Sequence, residues 1–260
     1  FPTRRSSDLR LGKLLPERME KKLEKIENQT TEVNHVIPSL FLYDYSEVKI
    51  GDYFYEDGSF SHKKAYGKEA VGIVFNLNPS EEEKKKGWTH GQIIALENVK
   101  YPSINRKISW GIATKEILKN VVVDPKEKGN SPDNGYLITH LDSVLNNPEF
   151  EAFNLAAEYK ANLPSGITSG WYLPCIAQWR ILHKTFFMKN SWEPYELREL
   201  RKSHGNKTIM FATSSLYDTK EAWKFAPSFY EEGYYSKDNI SDYANRSILD
   251  EDGIRAVASF

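Results

Sequence analysis

The sequence predicts an α+β domain, sheet-forming stretches interrupted by a few helices, and three observations carry that expectation. Fifteen Tyr, 13 Phe and 6 Trp are many for 260 residues, and aromatic side chains favour pleated, half-buried surfaces. Asp57-Gly58 stands between alternating aromatic segments, the strongest short-range hairpin signal a sequence offers. Gly170 to Trp179 reads as a short apolar strand turning sharply into a helix.

Composition bounds the function. A hydrophobic fraction of 40% at this length builds a core for one large domain or two small ones. The formal charge of -1, with basic residues mixed among acidic ones, gives no overall field for nucleic acid or an anionic membrane. No apolar run reaches the roughly 18 residues a membrane helix needs. Cys175 is the single cysteine, which excludes an intrachain disulfide framework and any multi-cysteine zinc site.

At the start of the chain, residues 1–9 read as translated sequencing adapter without an initiating Met. The expectation is that the true N-terminus, with any export signal, is missing. Residues 10–45 form a helical linker or stalk remnant, because Leu15, Met19, Leu23 and Ile26 recur among Lys and Glu. Two heptad-like turns are too short for an independent coiled coil, although the stripe can serve homo-oligomerisation through such a stalk. The folded domain is expected over residues 46–260.

Val48 to Ser61 supplies the hairpin, and Ala70 to Leu77 is a continuous apolar run suited to a buried strand. Glu81 to Lys86 reads as an exposed helical turn with a solvated charged face. Gln92 to Leu96 resumes as a strand. Pro102 before it, and Pro125 and Pro132 with several Asn, Asp and Gly residues within it, make the region from Ser109 to Tyr136 loop-rich. Asn147 as cap with Pro148 at the first position starts a helix that places Phe150, Phe153 and Ala157 on one face.

At the central joint Pro174 fits a first helical turn, and Ile176, Trp179, Leu182 and Phe186 fall along one inward face. Glu193 to Ser203 is a short charged helix with Leu197 and Leu200 as its inner edge, stopped at Gly205. Thr208 to Ser215, Ala222 to Phe225 and Gly253 to Phe260 read as strands.

Gly51-Asp52-Tyr53-Phe54-Tyr55, Asp57-Gly58-Ser59, Val71-Gly72-Ile73-Val74-Phe75, His90-Gly91 and Trp110-Gly111 stand in one order along the chain. Trp171-Tyr172-Leu173-Pro174, Thr213-Ser214-Ser215, Ala222-Trp223 and Ile254-Arg255-Ala256-Val257 continue it. This succession resembles the bacterial Lcl C-terminal domain family, whose C-type-lectin-like fold is related to formylglycine-generating enzymes. The variable proteins of diversity-generating retroelements are further relatives. The resemblance covers roughly Val48 to Phe260 and makes Trp171, Leu173, Pro174 and Arg255 its structural motif. It implies a mixed, mostly antiparallel sheet with paired first and last strands, two main helices and long ligand-bearing loops. It also implies export to a secreted or cell-surface location and ligand binding without turnover. Cys175 and Gln178 stand where a Ser and a Glu are usual after Leu-Pro, and Ala212-Thr213-Ser214-Ser215-Leu216 replaces a Trp-Ser-Ser-Thr-Glu stretch.

The residues yield no catalytic or metal-binding set, and no cofactor is expected. A copper site of the formylglycine type needs two soft thiolates, and Cys175 is more simply a small buried apolar residue. Six histidines lack metal spacing, and a calcium site wants six to eight oxygens that do not assemble here. Trp223 alternates with Phe225 and reads foremost as core, yet with Tyr217, Asp218, Tyr230, Tyr234 and Tyr235 it completes the candidate ligand surface of the C-terminal loops. The expected function is an exported, non-enzymatic, adhesin-like module holding a glycan or a protein. The alternatives are a formylglycine-superfamily enzyme without its copper site, and a structural cap of a fibre or phage-like assembly.

Overall fold

The apolar run that begins at Ala70 forms a strand buried along its whole length, and the main sheet is built outward from it. The computed structural model describes residues 44–100, 110–111, 114–120, 134–187, 194–198, 200, 203–204, 207–208, 210–216, 221–226, 234–239 and 253–260. The adapter-like start, most of the stretch from residue 10 to 45 expected as a helical linker, Gly205, Tyr217, Asp218 and Tyr230 lie outside these residues.

In chain order the first elements are β1 (Tyr53–Tyr55), β2 (Phe60–Ser61), β3 (Ala70–Asn76), α1 (Glu81–Lys85) and β4 (Gln92–Ala95). Helices α2 (Lys115–Asn120), α3 (Asn134–Thr139), α4 (Glu151–Ala157), α5 (Ile176–Leu182) and α6 (Tyr195–Arg198) follow. The last elements are β5 (Ser203–His204), β6 (Lys207–Thr208), β7 (Phe211–Leu216), β8 (Glu221–Ala226), β9 (Tyr234–Asn239) and β10 (Val257–Ser259).

The architecture is α+β with antiparallel pairing between all these strands. The main sheet has the order β10-β4-β3-β1-β2, β7-β8-β9 form a second sheet, and β5-β6 a small hairpin. The expected pairing of first and last strands is corrected: β10 lies against β4, while β1 is flanked by β2 and β3. The turn before β2 is as its sequence requires. Gly58 adopts φ 85, which a side chain would resist, and Asp57 Oδ1 accepts from the Ser59 amide at 2.9 Å.

Both faces of the main sheet are buried, which is why β3 carries no polar alternation. Phe54, Val71, Val74, Ile93, Ala95 and Ala258 enter one core, and α4 adds Ala152, Phe153 and Ala156 to it. Tyr53, Tyr55, Ile73, Phe75, Ile94 and Val257 enter the other with Ile176, Trp179 and Leu182 of α5. Phe54 opposes Gly72 while Tyr55 opposes Ala70, so Val71 is an extra residue, and Ala70 and Ile73 end up in the same core.

The helix signals have local causes. Asn147 accepts from the Glu149 amide and starts a 3-10 turn at Pro148–Phe150 that runs into α4. The predicted inward face of α5 is buried, and a π-helical stretch, His183–Phe187, extends it and carries Phe186 and Phe187 inside. Pro174 stands before the cap Cys175 rather than in the first turn. The charged stretch from Glu193 shortens to α6, with Leu197 and Leu200 buried as expected. The region read as loop contains α2 and α3, so Gly135-Tyr136 is helical. The strand expected from Thr208 to Ser215 is two pieces, β6 and β7.

The structural motif sits at the junction of the two cores. Tyr172 exchanges backbone bonds of 2.9 and 3.0 Å with Val257, a single bridge on the free edge of β10. Trp171 Nε1 donates to the Ala161 carbonyl at 2.7 Å, Leu173 is fully buried, and the Pro174 carbonyl accepts from Ser214. Arg255 is buried and donates to the Ala95 and Leu96 carbonyls, to Asn98 Oδ1 and, at 3.4 Å, to the Glu196 carbonyl, so carbonyl and amide oxygens surround its charge.

A side-chain carbon on Gly135 of α3 would stand 2.7 Å from the Leu173 carbonyl oxygen and 3.0 Å from the Tyr172 ring. Gly135→Ala should therefore destabilise the domain by about 1–3 kcal/mol, measured by urea denaturation, although Ala is the better helix former.

Candidate functional site

Ser80, Glu81, Glu82 and Glu83 open α1 as a capping box: the Glu83 amide donates to Ser80 Oγ at 3.2 Å and Glu83 Oε2 accepts from the Ser80 amide at 2.7 Å. Glu81 and Glu82 point outward and pair with Lys84 and Lys85. Glu83 points the other way and is only 2% exposed. The run read as one solvated face thus hides a buried carboxylate.

Four groups donate to that carboxylate. Besides the Ser80 amide they are Gln92 Nε2 at 2.9 Å, the Tyr172 hydroxyl at 2.8 Å and the Ser259 hydroxyl in a short bond. Asn76 Nδ2 donates to Gln92 Oε1, and Gln178 Nε2 donates to the Tyr172 oxygen at 2.7 Å. The Gln178 carbonyl oxygen reaches back to the Cys175 amide at 3.0 Å, so one side chain joins the α5 cap to the network. Burial and the neighbouring Glu83 hold the Tyr172 hydroxyl well above the ordinary tyrosine range, which keeps it a donor. No Lys or Arg among the described residues pairs with Glu83. Hydrogen bonds alone compensate its burial.

Above this network three rings lie half-exposed. Helix α1 ends in a Schellman turn, with Gly87 at φ 96, its amide on the Lys84 carbonyl and the Trp88 amide on the Glu83 carbonyl. That turn sets Trp88 edge-on to Tyr136, with centroids 4.7 Å apart. Tyr136 and His140, one helical turn apart along α3 and its end, stack at 4.4 Å. Tyr136 also meets the buried Tyr172 ring edge-on at 5.9 Å, and Lys86 Nζ lies 5.4 Å from its centroid.

The Tyr136 carbonyl lies 3.0 Å from His140 Nδ1 and can only accept, so Nδ1 carries the proton and Nε2 presents a lone pair. Burial, with Lys86 nearby, holds the His140 imidazole below the ordinary histidine range. Trp88 Nε1, the Tyr136 hydroxyl, His140 Nε2 and Lys86 Nζ have no hydrogen-bond partner among the described residues. The cluster offers ring faces ringed by donors and acceptors, the chemistry of a small polar ligand site.

The residues named from sequence are placed differently. Trp223 is 8% exposed and belongs to the core with Phe225 and Trp179, which corrects its place on a ligand surface. Its carbonyl accepts from Thr213 Oγ1, Ser215 Oγ accepts from the Ile176 amide at 2.9 Å, and the Thr213 carbonyl accepts from Trp110 Nε1. The Thr-Ser-Ser stretch is therefore internal wiring. Tyr234 and Tyr235 stand in β9 opposite Ala226 and Phe225, a strand where a turn was expected. The structure gathers Trp88, Tyr136 and His140 instead, and only the Ser80-to-Glu83 capping spacing hinted at the support beneath them. Among the described residues no three His, Cys, Asp or Glu side chains are placed to hold a metal ion. Cys175 is fully buried.

Neither a family model nor a curated protein matches the chain. A solved structure does: a fimbrial protein from Bacteroides ovatus is 17% identical at a TM-score of 0.50, over 82% of this chain and 49% of that one. The chain spans about half the length of that protein, and at this identity the likeness is one of fold.

Two measurements check the site. Glu83→Ala should cost about 3–5 kcal/mol, because it strips an anion acceptor from several buried donors, whereas Glu82→Ala should stay within about 0.5 kcal/mol in the same urea titration. A depressed imidazole lets the unfolded chain bind protons first, so the His140 contribution is complete above about pH 6.5 and is lost as pH falls through the folded value. His140→Phe should accordingly flatten the fall of stability that sets in below about pH 6.5.

Proposed function

We infer that this chain is a ligand-binding module of adhesin type, displayed at a bacterial cell surface, that holds a glycan or a protein and does not turn it over. The observation that carries the reading is the ring cluster: three half-buried aromatic side chains whose Trp88 Nε1, Tyr136 hydroxyl and His140 Nε2 have no hydrogen-bond partner among the described residues, fixed from below by a buried network. Such rigidity favours binding, because little order has to be created when a ligand arrives.

The fold likeness to a bacterial fimbrial protein supports the surface setting. The resemblance to Lcl-type C-type-lectin-like domains supports the same class of activity. Tyr217, Asp218 and Tyr230, with Tyr234 and Tyr235 at the start of β9, would extend the ligand surface in the C-terminal third of the chain. Formylglycine-type chemistry gains nothing from Cys175, whose thiol is enclosed in the core.

The fimbrial likeness also favours one second reading, a structural cap or subunit of a fibre. Screening folded protein on glycan and matrix-protein arrays should give a reproducible hit on one of them. Silence on both, together with assembly that grows with protein concentration in light scattering, would replace the binding role with the structural one.

A further inference from the structure

We propose that Trp88, Tyr136 and His140 form a subsite for one uncharged sugar ring of a neutral glycan, stacked on the Trp88 indole. This subsite presupposes the binding-module reading and gives it a place and a ligand class.

A pyranose has apolar C–H faces and a rim of hydroxyls, so it needs a ring face with both donors and acceptors at the margin. Trp88 supplies a half-buried indole ring and an N–H without a partner among the described residues. His140 supplies the acceptor, since its Nδ1 proton is held by the Tyr136 carbonyl. The Tyr136 hydroxyl can act either way.

Charge argues for a neutral ligand. Lys84 and Lys85 are paired with Glu81 and Glu82, and Glu83 is satisfied inside. Lys86 lies against the Tyr136 ring, and Asp142 stands exposed two residues beyond His140. Among the described residues the surroundings therefore hold no excess of cations to recognise a sulfate or a carboxylate. Size argues for a small ligand. A stable protein partner covers about 800 Å² per side, whereas this cluster is three rings, and in sequence it is flanked by the exposed charged residues Lys84, Lys85 and Asp142.

The subsite is also built in advance. The Schellman turn at Gly87 fixes the backbone of Trp88, and the buried Tyr172 ring backs Tyr136. None of the three side chains must be gathered on binding.

The test is calorimetric titration of the full chain with neutral tetrasaccharides of glucose, galactose and mannose, beside sulfated and uronate-containing oligosaccharides. At least one neutral tetrasaccharide should bind, with affinity unchanged between about 0.05 and 0.5 M sodium chloride. Trp88→Ala should weaken it roughly tenfold or more. His140→Phe, which keeps the stack and removes the acceptor, should weaken it as well, with near-UV circular dichroism confirming that both variants fold. Binding confined to charged oligosaccharides and lost in salt would overturn the subsite. So would neutral binding that survives Trp88→Ala, or a protein ligand alone, although both leave the module reading intact. Silence toward all saccharides and proteins would remove that reading with it.

Discussion

One ionisable side chain, Glu83, decides how the parts of this domain meet. Its carboxylate is taken out of water at the end of the main sheet, where hydrogen bonds are what compensates it among the described residues. The donors come from the loop before α1, from β4, from the segment leading into α5 and from β10. Asn76 of β3 and Gln178 of α5 add a second layer. A hydrogen-bonded charge of this kind has few equivalent alternatives, so it fixes register where apolar packing alone would tolerate sliding. The sheet, the α5 start and the ring cluster all take their positions from it.

Much of the fold was legible because its signals are local. The Asp57-Gly58 turn needs only a residue that accepts φ 85 and an aspartate that bonds its own loop. The run from Ala70 is apolar because both faces of β3 are covered, and Asn147-Pro148 carries its cap within three residues. The spacing of Ile176, Trp179, Leu182 and Phe186 fixed the inner face of α5 in the same way.

The candidate site was not legible, and the reasons are physical. Glu81, Glu82 and Glu83 are chemically identical, and what separates them is Tyr172, 89 positions away, and Ser259, 176 positions away. A capping spacing marks Glu83 as a backbone partner but says nothing of its burial. Trp88, Tyr136 and His140 come from two distant stretches, and the second lies in a region whose Pro and Gly content masked a helix. Trp223 was legible in one of its two readings: its alternation with Phe225 marks it foremost as core, and it is buried in the cluster that holds Trp179, Phe211 and Phe225, so its second reading as ligand surface falls away.

The place of β10 in the sheet bears on how the chain is made. Ile93 and Ile94 of β4 wait for Ala258 and Val257, which a ribosome delivers long after β1 to β4 can pair. Until then β4 is an open strand edge of apolar residues, and Glu83 lacks its Ser259 partner. A nascent or C-terminally shortened chain therefore presents a ready template for another strand, and its hazard is aggregation during synthesis or transport.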